Sequence, residues 1–85
     1  MSGAAWLMMA ALAGIEVNTA SQAELEAVRG IGVSTSTLIL AEREKAAFKD
    51  WADFATRIPG VGGRNAAKLS ASGVTVNGSA LKPAK

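Results

Sequence analysis

The chain has 85 residues, which is enough for one small domain and leaves little room for a buried active site. It contains neither Cys nor His, which excludes disulfides, zinc clusters and His-based acid–base chemistry. The formal net charge of +2 is small for a strongly basic nucleic-acid-binding protein. No nucleophile–base pair and no set of metal ligands is visible, so we expect a protein that is not an enzyme and needs no cofactor.

The first fourteen residues, MSGAAWLMMAALAG, are apolar and uncharged. The small-x-small pattern ALA at residues 11–13 is typical of a signal-peptidase site, and the run is too short to span a bilayer as a helix. We therefore expect a signal-peptide remnant and a periplasmic or secreted protein. No Lys or Arg precedes the run, which leaves open a cytoplasmic protein with a disordered N-terminal tail.

The first predicted helix starts at Ser21, because SQAE has the residues of a capping box in which Ser21 and Glu24 satisfy each other's backbone N–H. Gly30 is expected to stop this helix. Ser34 or Thr35 can then cap a second helix through TLILAEREKAA, with residues 42–45 forming an exposed, salt-bridged surface.

The segment FKDWADFATRI predicts a third helix with Asp50 as N-cap and Asp53 near the positive end of the helix dipole. The apolar residues at helical spacing are expected to face inward: Phe48, Trp51, Phe54 and Ile58. A fourth helix follows from about Gly63 to Ala71, and residues 78–85 are expected to form a disordered tail. The sequence predicts an all-α, compact four- or five-helix domain over residues 15–77, built from two similar units.

The strongest repeat is a glycine, an apolar residue and a second glycine, found as Gly30-Ile31-Gly32 and again thirty residues later at 60–62. A dinucleotide-binding fingerprint would follow a strand, whereas both copies follow predicted helices, and no Walker sequence is present. The repeat is therefore predicted to form a tight turn between helices. Glycine lets a partner approach the backbone there, and the free N–H groups of the next helix suit a phosphate oxygen.

Charge favours the second copy as an anion site, because residues 54–80 contain three basic side chains and no Asp or Glu. The three are Arg57, Arg64 and Lys68.

These residues resemble the helix-hairpin-helix (HhH) motif, hxxhxGhGxxxAxxhh, where h is apolar. The first copy matches at Leu25, Val28, Gly30, Ile31, Gly32, Ser36 (in place of Ala), Ile39 and Leu40, and the second at Ala55, Ile58, Gly60, Val61, Gly62, Ala66 and Leu69, with Ser70 in place of the last apolar residue. The order of NTA, a capped helix, GIG, Ala41 with Arg43, and a Phe before an acid-capped helix is similar to the ComEA family of competence proteins.

The resemblance implies two HhH units that bind double-stranded DNA through its phosphates, without sequence preference, in DNA uptake or competence. It implies a monomer whose further partners are DNA-uptake machinery. The implied contact set is Gly30, Ile31, Gly32, Ser34, Thr35, Gly60, Val61, Gly62, Gly63, Arg64 and Lys68, with the side chains of Ile31 and Val61 turned into the seam between the helices. The alternative is a helical protein-interaction or scaffold module that does not contact DNA.

Overall fold

Residues 14–81 are described by the computed structural model and contain four helices and two short strands. In chain order these are β1 (Ile15–Glu16), α1 (Gln22–Glu26), α2 (Val33–Lys45), α3 (Trp51–Arg57), α4 (Arg64–Ala71) and β2 (Val74–Thr75). The fold is mostly helical, as the sequence predicts. Within this range no helix has the length and apolar character that crossing a membrane would require.

The prediction of an all-α fold is wrong in one respect, because β1 and β2 pair as a parallel two-stranded sheet. Ile15 lies opposite Val74 and Glu16 opposite Thr75. The pairing joins the two ends of the domain, and a contact between segments so far apart in sequence leaves no local periodicity to detect.

Two side-chain caps start helices where the sequence predicts them. The Glu24 N–H donates to Oγ of Ser21 at 3.1 Å, and the Ser21 N–H donates to the Glu24 carboxylate at 2.8 Å. At the start of α3, the Asp53 N–H donates to Asp50 Oδ1 at 2.8 Å. These caps confirm the predicted starts of α1 and α3.

The hydrophobic core surrounds the aromatic residues of the third helical segment. Phe48 and Phe54 are fully buried, and their rings meet edge to face with centroids 5.0 Å apart. Trp51 is also buried, and its indole N–H donates to the Ser79 carbonyl at 2.9 Å. The prediction that these aromatics and Ile58 face inward is confirmed, so the described aromatic side chains are not available to stack on bases.

Glu42 and Lys45 form the predicted salt bridge at 2.8 Å, but Arg43 is an exception to the exposed surface predicted for this part of α2. Its guanidinium donates to the carbonyls of Val17 and Ala20 at 2.9 and 2.8 Å. These carbonyls lie in the segment between β1 and α1, which has no ladder of its own to satisfy them. Arg43 therefore fixes the N-terminal segment on α2.

Arg57 closes the C-terminal end of α2. It donates to the carbonyls of Glu42 and Ala46 at 2.6 and 2.7 Å, and its guanidinium lies 4.3 Å from the centre of the Phe48 ring. It also bridges to Asp53 at 3.1 Å. A guanidinium suits this role because its fork satisfies several last-turn carbonyls while it stacks on an aromatic face. Arg57 is thus used to stabilise the fold. Of the basic side chains in residues 54–80, Arg64 and Lys68 remain to bind an anion.

The ordered structure extends beyond residue 77, where the sequence predicts a tail to begin. Val76 and Ser79 form an antiparallel bridge, the Leu81 N–H donates to Oγ of Ser70 at 3.0 Å, and the Leu81 side chain packs against the core. The Leu81 contacts depend on α4 and the core lying beside this segment, so composition alone could not reveal them.

The Glu16 carboxylate holds this C-terminal segment. It accepts hydrogen bonds from four donors: the backbone N–H groups of Gly78 (2.7 Å), Asn77 (2.9 Å) and Asn18 (3.1 Å), and the Thr75 hydroxyl (2.8 Å). Partial burial raises the pKa of Glu16, but the hydrogen bonds from Gly78, Thr75, Asn77 and Asn18 outweigh it, and the pKa lies below its usual value.

Glu16→Gln is expected to lower the free energy of unfolding by about 1–2 kcal/mol at neutral pH, because an amide offers one acceptor oxygen to these donors. A lowered pKa gives stability that is present above the unfolded-state pKa and is lost as the pH falls through the folded-state pKa. Urea unfolding of both proteins should therefore show a difference in the free energy of unfolding that is smaller at acidic pH than at neutral pH. An equal difference at both pH values would show that the charge of Glu16 is not what stabilises the fold.

Candidate nucleic-acid interface

Two turns with the same backbone pattern connect helices in this domain, and we refer to them as the first turn (residues 28–32) and the second turn (residues 58–62). In the first, the Ile31 N–H donates to the Val28 carbonyl at 3.0 Å and Gly30 has a φ of +100°. In the second, the Val61 N–H donates to the Ile58 carbonyl at 3.3 Å. The glycine before Val61 has a φ of +88° and follows Pro59, the residue combination that a type II turn favours.

The apolar residue of each turn anchors it in the core. Ile31 is 3% and Val61 1% exposed to solvent, which confirms that their side chains face the seam between helices. Their N–H groups are already used inside the turn. Within the predicted contact set, Ile31 and Val61 are thus the residues whose side chains and N–H groups hold each turn in place.

The amides that follow each anchor have no partner among residues 14–81. After the first anchor, the N–H groups without a described hydrogen bond are those of Gly32, Val33, Ser34 and Thr35, and after the second those of Gly62, Gly63, Arg64 and Ala66. They belong to the start of α2 and of α4, where a helix leaves its first donors unsatisfied. Each helix start thus offers a cluster of backbone donors to an acceptor from outside.

The start of α2 differs from the prediction that Ser34 or Thr35 caps it. Gly32 is the N-cap, with extended backbone (φ −95°, ψ −170°) and no side chain to bond the donors. Ser34 is exposed and Thr35 half-buried within the first helical turn. Gly63 occupies the same position before α4, with φ +59°. Glycine N-caps leave the first amides of both helices without a side-chain acceptor.

Gly32 and Gly62 are not required by the folded chain itself. Neither has a positive φ, and a Cβ built at either would meet no atom within 4 Å. Gly30 and Gly60, by contrast, have positive φ and are needed for the turn. Because the second glycine of each turn has no side chain, the backbone beside the unpartnered amides stays exposed to solvent.

The two turns lie on one surface and together line a groove of about 550 Å³. Ile31, Val61 and Leu69 supply its apolar part, and Arg29 and Lys68 are its charged lining residues. Arg64, which begins α4, is exposed and follows the second turn along the chain, but it does not line the groove, and neither do Gly62 and Gly63. No carboxylate lines the groove within the described chain, so its charge favours an anion.

The three basic side chains at this surface are free of ion pairs within residues 14–81. The salt bridges found there use Lys45 and Arg57, and none involves Arg29, Arg64 or Lys68. Their full charge is available to an external anion.

Asn65 is a residue of this surface that the sequence analysis does not include. Its side-chain amide donates to the Gly60 carbonyl at 2.8 Å, which ties α4 to the second turn. An Asn in the first turn of a helix, shortly after a glycine turn, often bonds to nearby backbone, and this signal could have identified it.

Comparison with known proteins gives one family. A model described as the helix-hairpin-helix motif matches residues 11–72, which is more than half of the chain and includes both turns. No curated protein and no solved structure matches the chain. The motif indicates nucleic-acid binding, in agreement with the unpartnered amides and the basic side chains without ion pairs at the two turns. The chain therefore belongs to the helix-hairpin-helix family.

Proposed function

We propose that this protein binds double-stranded DNA through its phosphates and without sequence preference, as a tandem of two HhH units. The first unit consists of α1, the first turn and α2, and the second of α3, the second turn and α4. The observation that carries the proposal is the repeated glycine at positions 32 and 62. The fold does not need it there, and it exposes the backbone where amides lack partners.

A phosphate oxygen suits these donors for a physical reason. Backbone N–H groups at the start of a helix point along its axis, and the helix dipole favours negative charge at that end. A side chain at residue 32 or 62 would stand between the backbone and the phosphate. Because such contacts reach the DNA backbone and not base edges, they carry no direct sequence information.

The buried aromatics favour a duplex over a single strand. Proteins that hold single strands usually stack bases on exposed aromatic rings, whereas Phe48, Trp51 and Phe54 form the core. A duplex presents a regular row of phosphates that two neighbouring turns can contact together.

The biological setting of the proposal is DNA uptake, on the periplasmic or secreted side of the membrane, by a monomer that binds DNA without catalysing a reaction. The support for this setting is the similarity of the sequence to the ComEA family and the apolar, signal-like first fourteen residues, most of which precede the described range.

Gly32→Ala and Gly62→Ala are expected to leave the fold intact, because the new methyl group meets nothing within 4 Å in either case. Each should weaken duplex binding about tenfold or more, since the methyl group separates a phosphate from charge-assisted N–H donors. Fluorescence anisotropy with a labelled duplex measures the affinity, and thermal unfolding serves as the control for folding. Unchanged affinity in both folded variants would contradict the proposed contact.

Salt dependence tests the basic side chains. With three phosphates neutralised by Arg29, Arg64 and Lys68, affinity is expected to fall about 40-fold between about 50 and 200 mM salt. Arg64→Gln and Lys68→Gln should each reduce the slope of log affinity against log salt by about 0.9. The matched control is Lys49→Gln, because Lys49 is also exposed but precedes α3, at the helix end away from the second turn. Equal slope changes in all three variants would point to diffuse attraction and not to this surface.

A further inference from the structure

The two turns share a backbone pattern but are supported differently. Gly30 of the first turn packs near α4, since a Cβ there would stand 3.6 Å from Cδ2 of Leu69. A Cβ at Gly60, the equivalent residue of the second turn, would meet nothing within 4 Å. At its first glycine the second turn therefore has no neighbouring side chain like the one that the first turn has, although Val61 anchors the second turn in the core.

The second turn also contains more glycine. Gly60, Gly62 and Gly63 fall within four residues, whereas the residue that corresponds to Gly63 in the first copy is Val33. Glycine loses more conformational freedom on ordering than any other residue, so a glycine-rich turn is costly to hold in one conformation. If the turn becomes ordered only on binding, the lost conformational entropy weakens the affinity; a turn that is already ordered in the free protein avoids this loss.

One side chain spans this turn. The Asn65 amide donates to the Gly60 carbonyl at 2.8 Å, and the Asn65 N–H donates to the Gly62 carbonyl at 3.2 Å. The side-chain bond ties Gly60, the first glycine of the second turn, to α4. The unpartnered amide of Gly63 lies in the segment between Gly60 and Asn65. The corresponding residue of the first copy is Thr35, whose hydroxyl makes no hydrogen bond to any residue of the described chain.

We propose that Asn65 is a positioning residue: its side-chain amide holds the second turn in the conformation that presents the backbone donors to a DNA phosphate. The proposal rests on the proposed function and adds a division of roles to it. Leu69 lies beside the first glycine of the first turn, and a side-chain hydrogen bond holds the first glycine of the second. Asn65 acts on the free protein, before DNA arrives.

The test compares wild type with Asn65→Ala and with Asn65→Thr, which gives the second turn the residue of the first. Thr35→Ala is the matched control at the equivalent position. Backbone ¹⁵N relaxation of the DNA-free proteins reports the order of residues 60–63, and anisotropy titrations at two salt concentrations report duplex affinity and salt slope. Asn65 is exposed, so both variants are expected to fold, and thermal unfolding checks this.

We expect both Asn65 variants to lower the order parameters of residues 60–63 and to weaken duplex binding about three- to tenfold, the effect of one ordinary hydrogen bond. The salt slope should stay unchanged because no charge is removed. Thr35→Ala should leave the order of the first turn as it is. Lost affinity with an unchanged turn would overturn the proposal in favour of direct contact, and a disordered turn with unchanged affinity would overturn it as well.

The outcomes also separate this proposal from the one on which it rests. Wild-type protein that fails to bind duplex DNA would remove the proposed function and the role of Asn65 with it. Wild-type binding that both Asn65 variants retain in full would overturn only the role of Asn65.

Discussion

Both turns depend on a hydrogen bond from a buried aliphatic residue to the carbonyl three residues before it. Ile31 and Val61 make this bond while their side chains are held in the core, and a glycine with positive φ lets the backbone reverse between donor and acceptor. Because the anchor faces inward, the amides that follow it face solvent. Core packing thus determines which backbone groups the surface presents.

The four arginine residues of the chain have two different roles: two stabilise the fold and two are exposed at the glycine turns. Arg43 and Arg57 satisfy carbonyls at the ends of segments, and Arg57 also stacks on Phe48. Arg29 and Arg64 make no ion pair within the described chain and lie at the two glycine turns. A net charge close to zero is therefore compatible with a locally cationic surface, since the charges that balance the acidic residues are placed elsewhere.

The sequence predicts what is local and misses what is distant. The capping box at Ser21, the Asp50 cap and the inward aromatics follow from spacing alone, and the structure confirms them. The parallel pairing of the two ends and the roles of Arg43 and Arg57 depend on which segments meet in space. The Asn65 bond to Gly60 is local, and its position after a glycine turn is the signal that could have predicted it. The N-cap at Gly32 was missed for another reason: Ser and Thr are strong caps by preference, but the geometry of the turn places the cap two residues before Ser34 and three before Thr35.

The most direct measurement is a ¹H–¹⁵N chemical-shift titration of the labelled protein with duplex DNA of two unrelated sequences at low salt. The account predicts that the largest shifts fall on the amides of residues 29–35 and 60–68, at the same positions for both duplexes. Largest shifts on the opposite part of the domain, around Lys49 and the paired strands, or no shifts at all, would contradict it.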